Sequence, residues 1–148
     1  MIVVTGPISS GTRLTTRLLQ GWGFDVEHRS MPHWDRFWGW DRFEADTRFV
    51  IITRRPDIST RSAHRQGHGN PNLQGWEHLD HRLTEEELME WWIQAMRRLA
   101  DFPRAWWMTY EGLTGNPQQQ MGNLAHWLGM EEMPELSELV YDGNAQWL

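Results

Sequence analysis

Two short runs of consecutive apolar residues constrain what this chain can fold into. Residues 2–5 (Ile-Val-Val-Thr) and 49–53 (Phe-Val-Ile-Ile-Thr) are rich in β-branched side chains and do not alternate with polar residues. Continuous runs of this length are typical of strands that are buried on both faces. Because a turn and a helical pattern follow each run, strands and helices alternate along the chain. We therefore predict an α/β fold with a mostly parallel sheet flanked by helices.

Turn and capping signals predict the remaining elements. Thr84 and Glu87 have the spacing of a capping box, and Asn116 followed by Pro117 is a second helix start. The patterns predict strands at residues 2–5, 23–26, 49–53 and 104–109, and helices at residues 12–20, about 56–64, 84–99 and 116–128. Residues 66–82, rich in Gly, His, Asn and Pro, fit either a functional lid or a disordered segment. The tail from residue 131 has at most one short helix.

Length and composition exclude several classes of protein. The 148 residues suit one domain, residues 1–148, and the net charge of −6 argues against nucleic acid and anionic membranes as partners. The absence of Cys excludes disulfides and thiolate chemistry, and the absence of Lys excludes a Walker lysine and Schiff-base catalysis. Because no targeting segment is visible, we expect a cytoplasmic location. The oligomeric state stays open.

A glycine-rich segment, Gly6-Pro7-Ile8-Ser9-Ser10-Gly11-Thr12-Arg13, joins the first predicted strand to the first predicted helix. Glycines let backbone N–H groups converge on an anion at a helix N-terminus, so we predict a phosphate site. The spacing of Gly6 and Gly11 matches the ATP-binding loop, but Thr12-Arg13 replaces the Lys-Ser/Thr that contacts the terminal phosphates and Mg²⁺. The loop is therefore poorly suited to Mg²⁺–ATP. We predict a three-layer, P-loop-type α/β fold.

The stretch from Pro7 to Arg13 resembles the loop of the sulfotransferase family, Pro-Lys/Arg-Ser-Gly-Thr-Thr/Ser. In that family the loop holds the 5′-phosphosulfate of 3′-phosphoadenosine 5′-phosphosulfate. Here one extra residue follows Pro7, Ser9 stands in place of the Lys or Arg, and Arg13 replaces Thr or Ser. The resemblance implies that the donor is bound by Gly6, Pro7, Ser9, Ser10, Gly11, Thr12 and Arg13, with Arg13 supplying the charge.

Two further segments match the family in the same order. The family binds the donor's 3′-phosphate with Arg-x-Pro at a strand end and a Ser eight residues after that Arg, which implies this role for Arg54 and Ser62. Such an Arg at the carboxyl end of a strand faces the ligand crevice of an open α/β sheet. Residues 110–113 (Tyr-Glu-Gly-Leu) resemble a family segment that we interpret as structural. The family's C-terminal glycine-rich motif is missing, and residues 142–144 (Asp-Gly-Asn) are at best a remnant of it.

Sulfuryl transfer needs a base for the acceptor, cationic groups at the leaving phosphate and alignment, but no metal. The resemblance implies a base after the second strand, where Glu27, His28 and His33 are the candidates. We favour His28, because bacterial members often carry His after a Gly-x-x-Val pattern such as residues 23–26, and His transfers protons near neutral pH.

The acceptor is predicted only as a class, a small molecule or a glycan. An aromatic cluster after the second strand could line the acceptor cleft, although packing is the simpler interpretation for most of its members: Trp34, Phe37, Trp38, Trp40 and Phe43. A helical stripe containing Trp91 and Trp92 is interpreted as core. The histidines His64, His68, His78 and His81 have spacings that permit a metal, but we favour an acceptor-site role and expect no metal.

Two alternatives to the sulfotransferase hypothesis remain. A P-loop kinase of a nucleoside or small molecule would bind Mg²⁺–ATP, which Thr12-Arg13 disfavours. A degenerate nucleotide-binding module that binds a partner without catalysis is favoured by Ser9, which is not basic, and by the short C-terminus.

Overall fold

The sheet has four parallel strands. The computed structural model describes residues 1–31 and 38–147, and its strands are β1 (Ile2–Pro7), β2 (Val26–Met31), β3 (Arg48–Thr53) and β4 (Ala105–Thr109). Their order in the sheet is β2-β1-β3-β4. The helices are α1 (Thr12–Gly21), α2 (Pro56–Arg65), α3 (Glu85–Leu99), α4 (Tyr110–Gly115) and α5 (Pro117–Trp127), with 3-10 helices at Trp40–Arg42 and Gly143–Trp147. The predicted α/β fold is confirmed.

The order of the strands creates a crevice beside β1. The chain passes from β1 to β2 on one side and then returns to place β3 on the other side, so that Ile2 is in register with both Val26 and Arg48. In open α/β sheets, ligands bind at the carboxyl ends of the strands where the strand order reverses in this way. The ends of β1 and β3 meet this condition, and both predicted phosphate-binding segments begin there.

The two faces of the sheet bury separate apolar layers. Val4 and Val50 pack with Leu18 of α1 and Leu124 of α5, whereas Val3 and Ile51 belong to a layer that includes Leu99 of α3, as alternation along a strand requires. These strand residues are fully buried, which explains why their runs are apolar without interruption.

The second strand lies later than predicted. Residues 23–26 were expected to form it, but Gly23 has φ of 88° and its N–H donates to the carbonyl of Gln20, so it ends α1. The strand β2 begins at Val26 and forms one edge of the sheet. Because an edge strand can carry polar residues, its sequence lacks the apolar run that marks β1 and β3. The predicted capping box is confirmed, since Glu87 N–H donates to Thr84 Oγ1 and Thr84 N–H to Glu87.

Residues 66–82 form consecutive turns that pack against α3. The indole of Trp76 stacks on that of Trp91 at 5.6 Å, and Leu83 N–H donates to the Gly69 carbonyl at 2.9 Å. The tail ends in the 3-10 helix Gly143–Trp147, which lies against α2 and accepts a hydrogen bond from Arg61 at the Trp147 carbonyl. No helix among the described residues is both long enough and apolar enough to cross a membrane.

The aromatic cluster divides between core and surface. Trp38 and Phe43 pack edge to face in the layer beneath α3, whereas Trp40 is 41% exposed. Trp34 and Phe37 lie outside the described residues. On α3, Trp91 is buried in a core cluster, as the helical stripe predicts, whereas Trp92 is only half-buried because it lies at the edge of the stripe.

Candidate functional site

The loop after β1 depends on two close approaches of the backbone. A Cβ on Gly6 would lie 2.0 Å from the Ile52 carbonyl oxygen, and one on Gly11 would lie 2.5 Å from the Tyr110 ring. Gly11 also has φ of 88°, a conformation that favours glycine. These positions explain why glycine stands at both ends of the loop.

The loop turns its carbonyl groups toward β3 and α2. Ser59 Oγ donates to the Ile8 carbonyl at 2.6 Å, and Arg54 Nη1 donates to the Ser9 carbonyl at 3.1 Å. At the N-terminus of α1, Gly11 provides no side-chain cap. The first-turn N–H groups of α1 therefore receive no capping side chain and are suited to bind an anion.

Arg54 lies at the end of β3 and is only 9% exposed. Its Nε donates to Asn144 Oδ1 at 2.7 Å, and its guanidinium lies 4.5 Å from the centre of the Tyr110 ring. Burial lowers the pKa of Arg54, although Tyr110 and Glu111 raise it. Arginine keeps its charge in spite of such a shift. The site thus holds a fixed, buried cation.

Residues that no local sequence pattern connects to Arg54 hold this cation. Asn144 is 5% exposed, and its Nδ2 donates to Glu111 Oε1 at 3.1 Å. The Tyr110 hydroxyl accepts from Gly143 N–H at 2.9 Å. Residues 110–113 and 142–144, which we interpreted as structural and as a remnant, therefore meet at Arg54. The sequence contains both segments, the turn sequence Asp-Gly-Asn at residues 142–144 and the family-like Tyr-Glu at residues 110–111. No local pattern indicates that the two segments contact each other.

Two neighbouring clefts meet at Arg54. The loop cleft has a volume of about 320 Å³, and its lining residues are Ile8, Ser9, Gly11, Thr12, Arg13, Ser30, Arg54, Gln66, His68 and Tyr110. The C-terminal cleft, about 280 Å³, is lined by residues that include Leu14, Arg54, Ser62, Gln66, Tyr110, Tyr141 and Gly143. A larger groove of about 770 Å³ along α3 shares no lining residue with either cleft.

The structure brings together most of the predicted donor contacts. Ser9, Gly11, Thr12, Arg13 and Arg54 line the loop cleft, and Ser62 lines the C-terminal cleft. The other three predicted contacts are buried: Gly6 and Pro7 belong to β1, and the hydroxyl of Ser10 has no hydrogen-bond partner within the described part of the chain.

His28 reaches the loop cleft through two hydroxyl groups. Its Nε2 lies 2.7 Å from Thr12 Oγ1 and 3.2 Å from Ser30 Oγ, and both of these side chains line the cleft, whereas His28 does not. Burial lowers the pKa of His28, and the nearby charge of Arg13 lowers it further. The lowered pKa favours the neutral ring, and in the tautomer with its proton on Nδ1 the Nε2 atom can accept a proton from either hydroxyl group.

The other predicted bases are placed differently. Glu27 follows the alternation of β2 to the opposite face from His28 and pairs there with Arg29. His33 lies outside the described residues. Of the four clustered histidines, His68 lines the loop cleft and His81 pairs with Asp80 and Glu87. No group of three possible metal-ligating side chains occurs in residues 1–31 and 38–147.

Comparisons with known proteins support the fold. No protein-family model and no curated protein sequence matches this chain. Among solved structures, it is similar to the mouse sulfotransferase SULT7A1 complexed with PAP, with a TM-score of 0.59 and 10% sequence identity over 88% of this chain. The chain spans 58% of the length of that neighbour. At this identity the likeness concerns the fold alone: the chain has an α/β fold that resembles the sulfotransferase P-loop fold.

Proposed function

We propose that this protein transfers a sulfuryl group from 3′-phosphoadenosine 5′-phosphosulfate to a hydroxyl or amine of a small-molecule or glycan acceptor. One observation carries the proposal: buried Arg54 contacts the phosphate-type loop directly and lies where the loop cleft meets the C-terminal cleft. The proposed donor has anionic groups at the 5′ and 3′ ends of its nucleoside. These two ends match the loop cleft and the C-terminal cleft, which share the cation of Arg54.

In this proposal the 5′-phosphosulfate occupies the loop cleft and the 3′-phosphate binds Arg54 and Ser62. Arginine has five N–H donors, and within residues 1–31 and 38–147 two of those of Arg54 are used, toward Asn144 and Ser9. The others remain for phosphate oxygens. Ser62 Oγ accepts from Gln66 Nε2 at 3.0 Å, so its own proton is available for the same phosphate.

The proton of the acceptor would leave through the hydroxyl groups that contact His28. Ser30 or Thr12 accepts the proton and passes its own to His28 Nε2, while the acceptor oxygen or nitrogen forms a bond to sulfur. The bond between sulfur and the bridging oxygen of the phosphosulfate breaks, and adenosine 3′,5′-bisphosphate leaves. Arg13 and the N-terminus of α1 stabilise the charge on that leaving group.

A likeness of fold to a sulfotransferase that carries PAP supports this assignment. The non-catalytic module stays as the alternative, because Ser9 supplies no charge and its carbonyl is held by Arg54. The kinase is disfavoured because Arg13 stands where the ATP-binding loop has its Mg²⁺-binding hydroxyl, and Thr12 stands where that loop has Lys.

Calorimetry with adenosine 3′,5′-bisphosphate and adenosine 5′-monophosphate tests the donor site. Ser62→Ala is expected to weaken the bisphosphate by at least about 10-fold, since a hydrogen bond to a charged group contributes about 1.5–3 kcal/mol, and to leave the monophosphate unchanged. Arg54→Lys should weaken the bisphosphate further, because a bidentate contact is lost. Arg55→Ala is the matched control, since Arg55 is exposed and pairs with Asp57.

Three outcomes would contradict the proposal. Equal weakening of both ligands by Ser62→Ala would make the 3′-phosphate assignment wrong. Binding of Mg²⁺–ATP without binding of the bisphosphate would favour the kinase. Tight binding of the bisphosphate, without transfer of label from a ³⁵S-labelled donor to any member of a broad panel of hydroxyl and amine acceptors, would favour the non-catalytic module.

A further inference from the structure

His68 occupies a defined position in the loop cleft. Gly67 before it has φ of 88°, and His68 N–H donates to the Ala63 carbonyl at 3.0 Å, so the chain turns sharply at the end of α2. The His68 ring meets Trp76 edge to face, with centroids 5.7 Å apart, and Trp76 stacks in turn on Trp91 of α3. The ring is therefore held by packed aromatic side chains, although it belongs to a connection between helices.

The two ring nitrogens of His68 have different surroundings. Nδ1 is buried and has no hydrogen-bond partner within the described part of the chain. A proton on Nδ1 would be a buried donor without an acceptor, which costs free energy. A buried acceptor without a donor is tolerated more often than a buried N–H without an acceptor, so the favoured form is the neutral ring with its proton on Nε2. Because His68 lines the loop cleft while its Nδ1 is buried, Nε2 is the nitrogen available to a ligand there. The pKa of His68 agrees with a neutral ring, because burial lowers it and the charge of Arg13 lowers it further.

The loop cleft is built for an anion. The described residues that line it include Arg13 and Arg54 but no carboxylate. Gln66 precedes His68 by two residues and lines the same cleft, so its amide adds a polar group to that wall. A neutral imidazole N–H in such surroundings can donate to an anion without first taking up a proton.

We propose that His68 donates a hydrogen bond from Nε2, as a neutral donor, to the anionic group at the 5′ end of the bound nucleotide. This inference rests on the proposed function, and it adds a donor that the altered loop, with Ser9 in place of a basic residue, lacks. His28 and His68 then have complementary roles beside Arg13: one accepts a proton and the other donates a hydrogen bond.

The test compares two ligands that differ only at the 5′ end, adenosine 3′,5′-bisphosphate and adenosine 3′-monophosphate. His68→Phe keeps a ring against Trp76 but removes the donor, and His68→Gln returns an N–H near the position of Nε2. We expect His68→Phe to weaken the bisphosphate by about 10-fold and the monophosphate by less than about 2-fold, with partial recovery in His68→Gln. His126→Phe, at an exposed position of α5 outside both clefts, is the matched control and should bind as wild type does.

Each other result has a definite meaning. If wild type binds neither nucleotide, both the proposed function and this inference are wrong. If wild type binds the bisphosphate and His68→Phe binds it equally well, only the inference is wrong. Equal weakening of both nucleotides would show a packing role instead. Nitrogen-15 NMR of the ring in the bisphosphate complex at pH 7 should show a proton on Nε2 alone, and a doubly protonated ring would overturn the neutral donor.

Discussion

Replacing Asn144 with alanine removes the side chain that joins the C-terminal segment to Arg54. Two hydrogen bonds are lost, from Arg54 Nε at 2.7 Å and to Glu111 Oε1 at 3.1 Å, and both partners are charged. Each such bond contributes about 1.5–3 kcal/mol. Arg54 keeps its contacts with the Ser9 carbonyl and the Tyr110 ring, and water from the adjacent clefts can replace part of what is lost. We therefore expect the free energy of unfolding to fall by about 2–4 kcal/mol, toward the lower end of the sum.

Urea unfolding followed by tryptophan fluorescence measures this loss directly. In thermal unfolding the same change should lower Tm by about 6–12 °C for a chain of this size. Asn123→Ala is the matched control, because Asn123 is exposed on α5, and alanine there should change the free energy of unfolding by no more than about 0.5 kcal/mol.

The affinity for adenosine 3′,5′-bisphosphate provides a second readout. It should fall in Asn144→Ala, because the guanidinium of Arg54 loses the contact that orients it. A free energy of unfolding within about 0.5 kcal/mol of the wild-type value would refute the reasoning, because removing a buried side chain with two charged partners should cost more than that.

Three further predictions follow from single features. Gly11→Ala combines a φ of 88° with a Cβ 2.5 Å from the Tyr110 ring, and should lose at least about 2 kcal/mol in urea unfolding, whereas Gly115→Ala, which has open space, should lose none. The lowered pKa of His28 means that the unfolded chain binds its proton first. Stability from this group is therefore present above about pH 6.5 and lost as the pH falls, and His28→Gln should show a shallower decline on acidification; identical slopes would contradict this. Thr84→Ala should cost about 1 kcal/mol and speed hydrogen exchange in the first turn of α3, and unchanged exchange there would argue against the capping box.

Local patterns predicted most of the architecture because the physics behind them is local. The continuous apolar run at residues 49–53 indicated a strand covered on both faces, and β3 is indeed buried between two layers. The capping box predicted the start of α3 because a side chain three residues away satisfies the helix N-terminus. The prediction for the edge strand β2 was wrong in its bounds because this strand contains polar residues and therefore has no apolar pattern that marks its start.

The sequence by itself determined the parallel α/β class, the glycine loop and the candidate anion contacts Arg13 and Arg54. Only the tertiary structure showed that Arg54 is held by Asn144, 90 residues later, and that His68 enters the loop cleft. The reason is physical. A strand or a cap is specified by neighbours within one or two turns, whereas the orientation of a buried guanidinium depends on which distant segment the closed chain brings to satisfy it.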